Sequence, residues 1–185
     1  MKQPDFSEFP TLTTPRLVLR SLSPQDLPAI YQLRSDPIVA GFTGRKPISH
    51  IDEAAAYLTK IERMIKNNEC VLWAIAYQNS QELIGAICLW NFDVTNATVE
   101  IGYELLPAYH KQGIMAETIA RVLDFGFNIM GVKTILAFPS AENLASVKLL
   151  EKAGFKLASD SYQHTHTEVP GILTYTINKI QDPIH

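Results

Sequence analysis

The chain is poor in cysteine, has no basic excess and carries no long apolar run. Its two cysteines, Cys70 and Cys88, stand apart with no CxxC pair. That pattern excludes zinc-ribbon and thioredoxin-like chemistry and leaves two buried, reduced thiols as the plain reading. Lysine and arginine number 16 against 19 aspartates and glutamates, a net charge of −3, with no block of like charges. A direct nucleic-acid partner, which needs a basic face, is therefore not expected. No apolar stretch approaches the roughly 20 residues of a membrane span. The first ten residues, with Asp5, Glu8 and two prolines, do not read as a signal peptide. A cytoplasmic protein without a membrane partner is the expectation. Several motifs are also missing: GxxxxGK[ST], a GxGxxG after a strand, GxSxG and HExxH. Nucleotide hydrolysis, dinucleotide redox chemistry, esterase and zinc-protease activity lose their sequence support.

What is present fits one α/β domain. A chain of 185 residues, 46% hydrophobic and 19% charged, is long enough to bury a core unaided. Arg16–Leu22 reads as an edge-type strand, and Ser23-Pro24 opens a helix running to about Ser35. Pro37, Gly41, Gly44 and Pro47 punctuate a loop over 36–47. A second helix follows from Ser49 to Asn68, with Ala54, Leu58, Ile61 and Ile65 on one face. The period then becomes extended. Val71–Tyr77, Leu83–Asn91 and Thr98–Leu106 form an antiparallel meander. A helix from about Gly113 to Met130, a strand over Lys133–Phe138, and a helix over Asn143–Ala153 closed by Gly154 come next. Strands at about Phe155–Tyr162 and Gly171–Lys179 finish the chain. The order predicts a mixed sheet with a strand–helix–strand crossover. Residues 1–11 read as an N-terminal extension, 12–180 as the domain and 181–185 as a tail. The edge strand and the C-terminal hairpin leave a homodimer open.

One junction carries chemistry. The strand Val99–Leu106 passes through Pro107 into His110-Lys111-Gln112-Gly113-Ile114-Met115-Ala116-Glu117 and a helix. A glycine at a helix mouth exposes unpaired amides beside the positive end of the helix dipole, which suits a pyrophosphate.

The stretch VEIGYELLPAYHKQGIMAE, followed some way on by AENLASVKLLEKAGF, closely resembles the GNAT superfamily of acyl-CoA-dependent N-acetyltransferases. Within it the chain is similar to the RimJ/RimL branch, whose members begin with a strand like Thr14–Arg20. The resemblance covers about Leu12 to Lys179. It implies a mostly antiparallel central sheet with helices on both faces, an α/β (α+β) fold, and acetyl-CoA as cosubstrate with no metal. By the same resemblance the pantetheine pairs along the strand ending at Leu105 and Leu106. The pyrophosphate then rests on the amides of Gln112, Gly113, Ile114 and Met115, with Lys111 also in the cofactor site, and Asn143 and Ser146 line the thioester end. The chain departs from the family pattern at His110, at Met115 and at Leu150, where many members carry a tyrosine acid.

Moving an acetyl group to an amine requires the neutral amine. At a reference pKa of ~8 an N-terminal amine is roughly a tenth neutral at pH 7, while a lysine at ~10.4 is almost wholly charged. A carboxylate base is the main demand on the protein. Glu100 matches the position that many members use for it, with Glu168 or His166 as the next candidates. The leaving thiol, at ~8.5, departs with little help, and Ser146 is placed to donate a hydrogen bond to it. Glu104 and Glu117 near the junction would favour a cationic acceptor. The run His164-Thr165-His166-Thr167-Glu168 lacks a third ligand in view and reads as an exposed face. It falls where branch members build the acceptor pocket, making His164, His166 and Glu168 candidate substrate contacts. The acceptor is a protein N-terminal amine or a small-molecule amine. The competing reading is a silent acyl-CoA-binding sensor on the same fold.

Overall fold

The computed structural model describes residues 1–158 and 171–180. Among the described residues eight strands form one sheet: β1 (Leu12–Thr13), β2 (Leu17–Arg20), β3 (Cys70–Tyr77), β4 (Leu83–Asp93), β5 (Thr98–Leu105), β6 (Thr134–Ala137), β7 (Lys156–Leu157) and β8 (Tyr175–Asn178). They lie in the order β1-β2-β3-β4-β5-β6-β8-β7. Every neighbouring pair is antiparallel except β5 and β6, which run parallel. The expected mixed, mostly antiparallel sheet is what forms. The strand read as an edge, β2, is instead covered by the two-residue β1, so the outer position passes to Leu12 and Thr13.

Alternation along the strands divides the apolar residues between two cores. Val71, Trp73 and Ile75 of β3, Ile87 and Leu89 of β4, and Val99 and Ile101 of β5 face one side. Leu72 and Ala74 of β3 and Ala86 of β4 face the other. The first side packs on α4 (Ile114–Asp124) and α5 (Leu144–Lys152), through Ile114, Ile119, Val122 and Leu150. The second packs on α1 (Leu27–Ser35) and α3 (Ile51–Lys66), through Ile30, Leu33, Ala54, Leu58 and Ile61. Helices thus cover both faces.

Local chemistry explains where the helices begin. Glu53 accepts from the amides of Ser49 and His50, each at 2.9 Å, and closes the start of α3. The segment 36–47, read from its prolines and glycines as a loop, contains α2 (Pro37–Phe42). Asp36 caps it, its Oδ1 accepting from Ile38 at 2.8 Å and Val39 at 3.0 Å, with Pro37 at the first helical position. An acidic cap before proline is a helix-start signal that outweighs the glycines behind it. The long helix expected to reach Met130 is α-helical only to Asp124 and continues as a wider π turn over Phe125–Met130.

Residues 1–11 lie against the sheet. Phe6 is buried in the larger core and tilts against Phe92, and Phe9 meets the buried Trp73 edge-on. Trp73 Nε1 donates to the Pro10 carbonyl at 2.6 Å. Among the described residues no helix is long and apolar enough to cross a membrane.

A buried ion pair ties β2 to the segment before α1. Arg20 donates to both oxygens of Asp26, at 2.8 and 2.7 Å. The Ser23 amide donates to the same carboxylate at 2.8 Å. Burial pushes Asp26 up, but the Arg20 guanidinium and the Ser23 amide together hold it below its ordinary value. The stability this gives is present above the unfolded Asp value of ~3.9 and is lost as pH falls through the lower folded value. Asp26→Asn should lower unfolding free energy by about 3 kcal/mol at pH 7 in urea melts. The gap from wild type should narrow as the pH drops below ~4.

Candidate functional site

The site begins where β5 and β6 part. Their ladder runs only from Thr98–Thr134 to Glu100–Leu136, yet β5 continues to Leu105. The direction of the backbone groups beyond that point follows from two bonds. The Leu106 amide donates to Ile84 of β4 at 3.0 Å, and the Ala97 carbonyl accepts from Lys133 on the β6 side. Because N–H and C=O groups alternate along an extended strand, those of Tyr103 and Leu105 face the open edge. The Leu105 carbonyl is taken by His110, whose Nε2 donates at 2.9 Å. The Leu105 amide is left pointing into the gap.

The turn after β5 leads into the mouth of α4. Gly113, at φ 75°, stands before the first residue of the helix, and Lys111 also takes a left-handed φ of 60°. A Cβ at Gly113 would come within 3.5 Å of Arg16 Nη2. The first helical bond runs from the Glu117 amide to the Gly113 carbonyl, so the amides preceding it open outward at the positive helix end. Arg16 braces this mouth. Its Nη1 donates to the Gln112 carbonyl at 3.1 Å and its Nε to Glu117 at 2.7 Å. Thr14 and the Arg16 amide donate to Glu117 as well. Although burial opposes it, the Thr14 hydroxyl and Arg16 hold Glu117 below the usual carboxylate range. Glu117 is therefore a brace for the turn, and its charge is spent there.

Two cavities flank the open edge. The larger, about 570 Å³, is lined by Leu105, Lys111, Gly113, Ile114, Met115 and Lys152, among others. The smaller, about 270 Å³, contains Glu100, Trp90, Phe138, Ser140 and Leu150. Both share Phe42, Thr43, Tyr103, Asn143 and Ser146. At that junction Tyr103 Oη and Ser146 Oγ are 2.8 Å apart. Burial pushes the Tyr103 phenol up to about 12, against a smaller opposing effect of the Ser146 hydrogen bond. The phenol therefore keeps its proton at neutral pH. Asn143 caps α5, its Oδ1 accepting from the Ser146 amide at 3.0 Å, and this fixes Ser146 on the first turn.

Glu100 is 2% exposed, stands opposite Trp90, and accepts from Asn91 Nδ2 at 2.6 Å. Glu104 points to the α1–α3 face. Its carboxylate is held by Arg45 at 3.0 Å and Arg34 at 3.5 Å, and Arg34 stacks on the Tyr57 ring at 3.7 Å. Its expected pull on a cationic acceptor is answered by these two guanidinium groups.

The chain fold thus gathers Glu100, Leu105, Lys111, Gly113, Ile114, Met115, Asn143 and Ser146 around one cleft, with Gln112 in the turn at its mouth. Leu106 falls outside. It lies one residue off the open-edge parity, its amide serves β4, and its side chain joins the second core. His164, His166 and Glu168 lie outside the described residues. Among the described residues no three His, Cys, Asp or Glu side chains cluster as a metal site would need. Sequence reasoning missed Tyr103, Phe42 and Thr43. Tyr103 is legible in retrospect from its two-residue offset to Leu105. Phe42 and Thr43 depend on the start signal of α2.

Comparison with known proteins adds a family. Residues 16–156 match the family described as "Acetyltransferase (GNAT) domain". The Bacillus subtilis protein "Uncharacterized N-acetyltransferase YoaA" is 32% identical over 148 residues, covering 80% of this chain and 84% of its own. A solved spermidine N-acetyltransferase from Vibrio cholerae, in complex with CoA and spermine, superposes at TM-score 0.75 with 22% identity, covering 89% of this chain and 96% of its own. A RimL ribosomal L7/L12 α-N-protein acetyltransferase in complex with coenzyme A superposes at 0.76 with 16% identity, covering 91% and 97%. At these identities the two structures speak for the shared fold.

The brace at the helix mouth is testable by itself. Arg16→Ala removes the donor to the Gln112 carbonyl and the ion pair to Glu117, each bond being worth about 1 kcal/mol. Amide hydrogen exchange across 117–120, the first bonded amides of α4, should accelerate roughly thirtyfold while exchange in β3 and β4 stays unchanged.

Proposed function

Because the chain belongs to the acetyltransferase (GNAT) domain family, we propose that it transfers an acetyl group from acetyl-CoA to a primary amine, with Glu100 as general base. The observation that carries this reading is the meeting of two cavities at Tyr103 and Ser146. One cavity holds a helix mouth suited to phosphates and the other a buried carboxylate.

The residues present fit the acetyl donor. The position a Cβ would take at Gly113 has Arg16 Nη2 as its neighbour at 3.5 Å, so a diphosphate approaching the amides of α4 meets a guanidinium there. Lys111 and Lys152 line the same cavity and bring positive charge. The Leu105 amide on the open edge offers an extended pantetheine arm one strand-like hydrogen bond. When bound, acetyl-CoA supplies an acetyl thioester, an electrophile activated by its leaving thiol.

The protein's own groups manage two protons. Glu100 takes one from the amine at its carboxylate, leaving the nitrogen lone pair free to attack. Ser146 Oγ donates the other to the departing sulfur, and the second proton shed by the acylated nitrogen restores it through the Tyr103 hydroxyl 2.8 Å away, so the pair ends protonated as it began. Leu150, where a tyrosine acid stands in many family members, lines the smaller cavity as an apolar wall. Tyr103 brings a phenol to the junction from β5 instead.

The acceptor is a primary amine, either a protein N-terminus or a small molecule. Of the two solved relatives, one is a spermidine enzyme with spermine bound and the other acts on a ribosomal protein's α-amine. Among the described residues Glu100 is the carboxylate that lines the smaller cavity, Glu104 being committed to Arg34 and Arg45. The RimJ/RimL placement rests on the opening Thr14–Arg20 strand.

Two measurements test this reading. Gly113→Glu should keep the fold at a cost of about 1 kcal/mol, set by its left-handed φ. It should also abolish the thermal stabilisation by acetyl-CoA, about 2.7 kcal/mol for wild type at a hundredfold excess over Kd. Undiminished stabilisation would place the donor elsewhere. Glu100→Gln should lower CoA release with amines by ~10²–10⁴-fold, with residual activity rising with pH as the amine deprotonates unaided. Full activity with an unchanged pH profile would remove Glu100 from the role.

A further inference from the structure

Asn91 donates to Glu100 at 2.6 Å, and its backbone shows how it is brought there. Along the β4–β5 ladder, Trp90 stands opposite Glu100, and pairing resumes at Asp93 and Thr98. Three steps on β4 therefore answer two on β5, a bulge with one extra residue. Asn91 sits in that bulge at φ 52°, a left-handed conformation that costs asparagine less than most residues. The turn redirects its side chain, and Nδ2 donates to Glu100 Oε1 at 2.6 Å. An ionised carboxylate only accepts, so the amide nitrogen is the end that must face it.

We infer that Asn91 is a positioning residue for the acetyl-transfer base, aiming the Glu100 carboxylate into the acceptor cavity. The inference rests on Glu100 being that base. A fixed orientation shortens the search for a productive contact with the amine. The plainer account is that asparagine is present only because the bulge needs a left-handed residue. Glycine meets that need equally well and has no amide to offer, so the two accounts separate.

Among the described residues, the other groups around Glu100 are compatible with this role. Cys88 of β4 is half-buried, and desolvation pushes its thiol up to about 12, so it carries no charge at neutral pH. On β5, Tyr103 is protonated and Glu104 is paired with Arg34 and Arg45. From α2, Phe42 and Thr43 line the cavity, and from the segment joining β6 to α5 come Phe138, Pro139, Ser140, Asn143 and Ser146, none of which titrates near neutrality.

The test uses Asn91→Gly and Asn91→Asp in the full chain. Thermal melts and acetyl-CoA-induced stabilisation should match wild type for the glycine variant, showing an intact fold and donor site. With an amine acceptor, kcat should fall about tenfold in Asn91→Gly while KM for acetyl-CoA stays unchanged, because the carboxylate is no longer aimed. In Asn91→Asp kcat should fall further, since a like charge replaces the donor. An unchanged kcat in the glycine variant would overturn the inference and leave Asn91 as a backbone device. Should Glu100→Gln itself retain full activity, the base assignment fails instead, whatever the Asn91 variants show.

Discussion

The early end of the β5–β6 ladder is the constraint on which the site depends. Two parallel strands that paired along their full length would satisfy each other's backbone and leave no edge to a ligand. Here pairing stops at Glu100 and Leu136, and β5 runs on alone to Leu105. The gap admits the N-terminus of α5, which sets Ser146 against Tyr103. It also makes the two cavities neighbours. Backbone parity then decides that Tyr103 and Leu105, and not Leu106, present their polar groups to the cleft.

The charges near this cleft are mostly committed elsewhere. Glu117 is bound by Thr14 and Arg16 and stiffens the mouth of α4. Glu104 is bound by Arg34 and Arg45, and Arg45 also donates to the Leu33 and Arg34 carbonyls at the end of α1. That second cluster joins the loop behind α2 to the sheet, and so positions Phe42 and Thr43 over both cavities. Glu100 accepts from an amide donor, Asn91 Nδ2, brought to it by the bulge in β4.

Much of this was legible in the sequence. The meander, the crossover helix and the closing helix follow from period and punctuation, because a half-buried strand or helix must repeat its apolar residues at its own pitch. Gly113 and the residues around it announce a helix mouth, and Asn143 announces a cap. The pairing of the two blocks around Gly113 and Asn143 pointed to the family. Two segments differ from their expected form. Asp36-Pro37 starts α2 inside a segment rich in glycine, and the run after Asp124 widens into a π turn.

What the sequence determined by itself was therefore local: which residues alternate, which cap, and which glycine opens a turn. These depend on neighbours a few positions away, and the chain carries them openly. Tertiary structure alone decided that Tyr103 meets Ser146 across 43 positions and that Arg45 reaches Glu104 across 59. It alone decided that a bulge turns Asn91 onto Glu100. Each of these rests on strand register and on the distance at which β6 leaves β5. Those quantities belong to the packed sheet as a whole, because shifting a register by one residue exchanges every side chain between its two faces.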